Sequence, residues 1–121
     1  MIYTASYFQK PNHHGQVLSI SMSEPKGVKI DGKLSVFAPN RDLLNDYKKG
    51  KIDEQGYIER YREQLRKSLD QIMTWLDGLD PEEDLTLCCW EKAGEFCHRN
   101  LVIKFVEKYR PDCLGGTDIK A

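Results

Sequence analysis

The chain has 121 residues, of which 40% are hydrophobic and 31% charged, with a formal net charge of -1. That length fits one compact domain, and 10% aromatics without a repeat period exclude a disordered chain, a collagen-like repeat and a coiled coil. No apolar run approaches the roughly 18 residues of a membrane span, and Met1-Ile2-Tyr3-Thr4 does not open a basic segment followed by a hydrophobic stretch. A cytoplasmic protein without a secretory signal is expected.

Ile2 to Phe8 reads as a strand, rich in β-branched and aromatic residues, and Gln9-Lys10-Pro11-Asn12-His13-His14-Gly15 ends it with turn chemistry. Gln16 to Ser23 alternates cleanly, with Leu18, Ile20 and Met22 on one face and Ser19, Ser21 and Ser23 on the other, as a second strand does. Glu24 to Phe37 carries Pro25, Gly27 and Gly32 and reads as irregular loop. Pro39-Asn40 opens a short helix through Leu43, Leu44 and Tyr47, stopped by Gly50. From Asp53 to about Asp77, Ile58, Tyr61, Leu65, Leu69, Ile72 and Leu76 recur at steps of three and four, one stripe of a long helix.

Leu85-Thr86-Leu87-Cys88-Cys89-Trp90 is apolar almost throughout, the signature of a central strand covered on both faces. A last helix from Phe96 to Tyr109 places Leu101, Val102, Phe105, Val106 and Tyr109 on one side, and Pro111 stops it. Gly115-Gly116 leaves open whether an edge strand follows. These elements define a small three-layer α/β domain, with a mostly parallel central sheet and flanking helices. The long helical connection makes the second strand and the Cys88 strand parallel. Between the first two strands a hairpin is the simple reading and a compressed crossover the alternative.

Residues 1–52 carry a net charge of +4 and residues 53–121 a net of -5. The basic half ends in Lys48-Lys49-Gly50-Lys51, a cluster able to meet phosphate or nucleic acid, although a solvated helix end explains it as well. The four cysteines are Cys88, Cys89, Cys97 and Cys113. They are expected reduced and are too few for a disulfide scaffold. Cys88 and Cys89 point to opposite faces of their strand and cannot serve one site together.

One stretch concentrates chemistry: Cys89-Trp90-Glu91-Lys92-Ala93-Gly94-Glu95-Phe96-Cys97-His98-Arg99. It runs from the carboxyl end of the buried strand into the first turn of the last helix. In open α/β sheets ligands bind at that edge, and a helix N-terminus there receives anions. Cys97 is a candidate nucleophile, favoured as thiolate by the helix dipole; a small buried hydrophobe is the alternative. His98 is either a general acid/base or a satisfied core histidine. Arg99 either clamps a phosphate or carboxylate, or pairs with Glu91 or Glu95.

Glu91 is a candidate general base, or the carboxylate that orients His98. Ser21 and Ser23, at the end of the second strand, would border the same crevice, and so would Cys89. A metal held by Cys89, Cys97 and His98, with Cys113 or His13 and His14, matches no common zinc spacing, and neighbours on a helix diverge. No metal or other cofactor is therefore expected. Cys97 and Arg99 are also too close for the cradle of a tyrosine phosphatase.

At these residues the chain resembles the domain-of-unknown-function-488 family of small prokaryotic and phage proteins. Leu87-Cys88-Cys89-Trp90-Glu91 is similar to that family's strand ending Cys-aromatic-Glu, and Cys97-His98-Arg99 to its Cys-His-Arg signature. Phe37-Ala38-Pro39, then Leu43-Leu44-Asn45-Asp46-Tyr47-Lys48-Lys49-Gly50, then Tyr57 and Tyr61 follow the family's order as well. Many relatives carry an arginine before a proline after the second strand, where this chain has Ser23-Glu24-Pro25, so the resemblance does not extend to a clamp of two arginines. The resemblance implies the fold and marks Cys89, Glu91, Cys97, His98 and Arg99 as site positions.

Three functions compete on the sequence alone. One is an enzyme for a phosphorylated or nucleotide-like ligand. Another is a non-catalytic module for a nucleotide, nucleic acid or protein, using the same crevice and Lys48–Lys51. In the third, Cys97-His98-Arg99 only closes the loop by hydrogen bonds.

Overall fold

A computed structural model describes residues 1–91 and 96–117. The sheet contains β1 (Ile2–Ser6), β2 (Gln16–Ser19), β3 (Gly32–Lys33), β4 (Leu85–Cys89) and β5 (Leu114–Thr117), in the spatial order β3-β2-β4-β1-β5. Every pairing is parallel. The helices are α1 (Arg41–Lys48), α2 (Glu54–Arg66), α3 (Leu69–Asp77) and α4 (Arg99–Tyr109). No helix among the described residues is long and apolar enough to cross a membrane.

Topology decides which face each connection covers. The steps from β1 to β2 and from β2 to β3 move one way across the sheet, and those from β3 to β4 and β4 to β5 move the other. Parallel crossovers are right-handed, so α1–α3 and α4 share one face while the two non-helical connections cover the opposite face. The core follows this division. Leu87 and Cys89 of β4 join Leu43, Tyr61, Leu65, Ile72, Leu76, Val102 and Val106 from the helices. Ala5, Tyr7, Val17 and Cys88 form the smaller cluster behind the sheet, against Val28 and Ile30 of the second connection. The third layer is thus built from loop segments and a 3-10 turn at Lys10–Asn12.

Several elements depart from the sequence reading. The first two strands are not a hairpin: β4 lies between them and pairs with both, so Tyr7–Gly15 is the compressed crossover. β2 ends at Ser19 instead of Ser23. Beyond it serine side chains replace ladder bonds, with Ser21 Oγ donating to the Ser23 carbonyl at 2.6 Å. The loop before α1 contains β3, a two-residue edge strand.

The long helix is two helices, since the Ser68 N–H bonds the Leu65 carbonyl three residues back and tightens the turn. The apolar stripe continues across this bend, except that Leu69 is left 41% exposed. Asn40 and Asp53 cap α1 and α2, their side chains accepting from the Leu43 and Gly56 N–H groups. The edge strand left open by Gly115-Gly116 is present as β5, beside β1.

Candidate functional site

β4 delivers Cys89 to the helix-covered face at its last residue, and α4 begins at Arg99, three residues later than its apolar pattern suggests. That delay governs the geometry. Cys97 precedes the helix and His98 is its cap residue, so their side chains converge where regular helical neighbours would diverge. The Cys97 sulfur lies 3.5 Å from His98 Nδ1. His98 Nε2 bonds the Ile20 carbonyl just past β2. A carbonyl only accepts, so Nε2 carries the proton and Nδ1 turns its lone pair to the sulfur.

Arg99 points inward. Its guanidinium Nη1 donates to Cys89 Sγ at 2.8 Å. The sulfurs of Cys89 and Cys97 are bonded to each other, which corrects the expectation that all four cysteines are reduced; Cys88 and Cys113 are free and buried. The cause is that delayed helix start, which brings Cys97 back over the end of β4. Cys89 and Arg99 are 0% exposed, Cys97 2% and His98 5%.

The Tyr61 ring meets the His98 ring edge-on, with centroids 5.6 Å apart, and its hydroxyl donates to the Phe37 carbonyl at 2.6 Å. Phe96, entering the site, packs against Tyr47 and Tyr57 with centroids 5.8 and 5.2 Å away. Burial pushes the hydroxyls of both tyrosines above their ordinary pKa, and the negative charge of Glu91 adds to the rise. Glu91 is therefore a half-buried neighbour of this aromatic group.

Of the residues singled out in the sequence, the fold brings Cys89, Cys97, His98 and Arg99 together. Ser21 and Ser23 belong elsewhere. Ser21 Oγ is bonded to the Tyr7 hydroxyl behind the sheet, and the Ser23 carbonyl accepts from Trp90 Nε1 at 2.8 Å. Lys92, Ala93, Gly94 and Glu95 lie outside the described residues, and with them the pairing of Arg99 with Glu95. Cys113 is beside Asp112, and His13 is behind the sheet next to Cys88. Tyr61 and the Ile20 carbonyl were not legible as site groups, because Tyr61 reads as one more member of the α2 stripe and a backbone oxygen has no sequence signal.

Burial pushes the His98 imidazole down to about 4, with Arg99 adding to the shift and the Ile20 bond opposing it. Folded His98 stays neutral where the unfolded chain takes up a proton near pH 6.5. Its contribution is complete above that pH and is lost as pH falls toward 4, by about 3 kcal/mol. Urea unfolding between pH 7.5 and 4 should show a steeper loss in the parent chain than in His98→Gln. Parallel profiles would contradict the assignment.

The fold and cluster define a small parallel α/β protein with a buried cluster of two cysteine sulfurs, an imidazole and a guanidinium at the carboxyl edge of its sheet. A family model described as the active DUF488-N3 subclade matches residues 2–110. The chain belongs to that family. No curated protein and no solved structure matches it.

Proposed function

We propose that this chain is an enzyme acting on a phosphorylated or nucleotide-like anion. The reduced Cys97 thiol is its reactive group, His98 Nδ1 accepts the thiol proton, and Glu91 is the acid/base group nearer the surface. The observation that carries this reading is the Cys97–His98 contact, its tautomer held by the Ile20 carbonyl. Arg99 favours the charged form of the thiol pair through Cys89.

Support for an anion comes from the surroundings. Tyr47 against Phe96 places the end of α1, where Lys48, Lys49 and Lys51 follow, beside the segment entering the site. A second reading, a non-catalytic binding module with a structural Cys-His-Arg cluster, is favoured by the complete burial of Cys89 and Arg99.

Iodoacetamide labelling of the reduced chain near pH 7 separates the two. The enzyme reading expects Cys97 to react about tenfold or more faster than buried Cys88 and Cys113, with phosphate or a nucleoside monophosphate slowing it. Equal, unprotected rates at the three cysteines would leave the binding-module reading.

A further inference from the structure

We infer that the reduced chain binds one soft divalent cation of the zinc class through Cys89 Sγ, Cys97 Sγ and His98 Nδ1. This rests on the same site as the reactive-thiol reading but gives the sulfurs a different role. With the cation present they are ligands, and Cys97 is not free to attack.

Three observations carry it. The donor atoms of Cys89, Cys97 and His98 all lie within 4.8 Å of one another and are buried, close enough to share one ion. Two thiolates and one imidazole are the donors that zinc and similar ions prefer over oxygen-loving magnesium or calcium. The far nitrogen of His98 donates to the Ile20 carbonyl, the kind of outer partner that orients a ligating histidine and leaves its other nitrogen unprotonated.

Arg99 adds a donor to the Cys89 sulfur, favouring the thiolate a metal requires. Among the described residues no fourth Cys, His, Asp or Glu joins the group. Tyr61 does not supply the missing ligand, because its hydroxyl is engaged with the Phe37 carbonyl. Three protein donors and one open position characterise catalytic zinc sites, whereas structural ones are closed by four. With three donors among the described residues, the group meets the minimum of a catalytic zinc site.

The chemistry balances simply. A phosphine or thiol reductant supplies two electrons that, with two protons, convert the Cys89–Cys97 disulfide to two thiols. Binding the dication then releases those two protons and leaves a neutral metal-dithiolate unit. Oxidation of the thiols excludes the metal.

The test uses the full chain, reduced with a phosphine, stripped with a chelator and titrated with zinc against a chromophoric competitor. One equivalent should bind, and cobalt in its place should give thiolate-to-metal charge-transfer absorption. Cys89→Ser and Cys97→Ser should each weaken binding by about 100-fold or more, and His98→Gln by about 10–100-fold. Cys88→Ala, which alters the neighbouring Cys88–His13 pair behind the sheet, should leave it unchanged.

Circular dichroism establishes that each variant is folded. Sub-stoichiometric binding by the folded, reduced parent, or binding indifferent to Cys97→Ser, would overturn the inference. The two readings fail separately. No zinc uptake with fast, phosphate-protected labelling of Cys97 removes the metal and keeps the reactive thiol; one-to-one uptake with slow labelling of the metal-free chain does the reverse.

Discussion

Replacing Arg99 with alanine should lower the stability of the chain by about 4 kcal/mol, read as a shift in the urea midpoint at an unchanged slope. Arg99 heads the fully buried side chains by size and lies at the first residue of α4. Its cation is out of water, a placement that requires polar partners, of which Cys89 Sγ is one. Truncation leaves a cavity behind the helix start and strips the sulfur of its donor. Arg99→Met fills most of that volume without the charge and should lose less, so its own loss reports the hydrogen-bonded cation and the difference between the variants reports the cavity. A loss below about 1 kcal/mol in Arg99→Ala would mean that the guanidinium is not seated in the core.

Gly15→Ala should be of comparable size, at least about 3 kcal/mol. Gly15 has φ +63°, and a Cβ there would sit 2.0 Å from the Asp84 carbonyl oxygen. That carbonyl also receives the Gln16 N–H at 3.1 Å, the bond from which β2 starts along β4. Backbone stands on both sides of the clash, so no flexible side chain can give way. Gly27→Ala is the comparison: its φ is +82°, but nothing lies within 4 Å of its Cβ position. Gly27→Ala should cost only the backbone conformation, about 1–2 kcal/mol. Thermal or urea unfolding of the two variants gives the steric part by difference, and equal losses would contradict the close approach at Gly15.

The apolar run Leu85–Cys89 announced a central strand, and the alternation of Cys88 and Cys89 assigned them to opposite faces; both features are set by a period of two and by burial alone. Chain order across the sheet was less accessible. A nine-residue link between β1 and β2 suits a hairpin locally, and only the insertion of β4, some eighty residues later, forces it to cross over.

At the site, the residue types were legible and their arrangement was not. Counting α4 from Phe96 sends Cys97 and His98 apart, and the observed start at Arg99 lets them meet. Arg99 reads from the sequence as an anion clamp or a partner of Glu91 or Glu95, and sequence position carries no sign of the tertiary attraction that draws its guanidinium inward to Cys89. Ser21 and Ser23 illustrate the converse error. Being at the end of the right strand does not bring a side chain to the right side of the sheet, and Ser21 is held there by Tyr7 and the Ser23 carbonyl.

The placement of β4 between β1 and β2 bears on how the protein is made. Ile2 aligns with Leu85 and Gln16 with Leu85 from the other side, so neither early strand has its principal neighbour until the ribosome has passed the eighties. Nascent chains shorter than that hold two strands with nothing to dock between them. Sheet assembly must therefore wait until β4 has been made, and such distant pairings make slow folding the expected route.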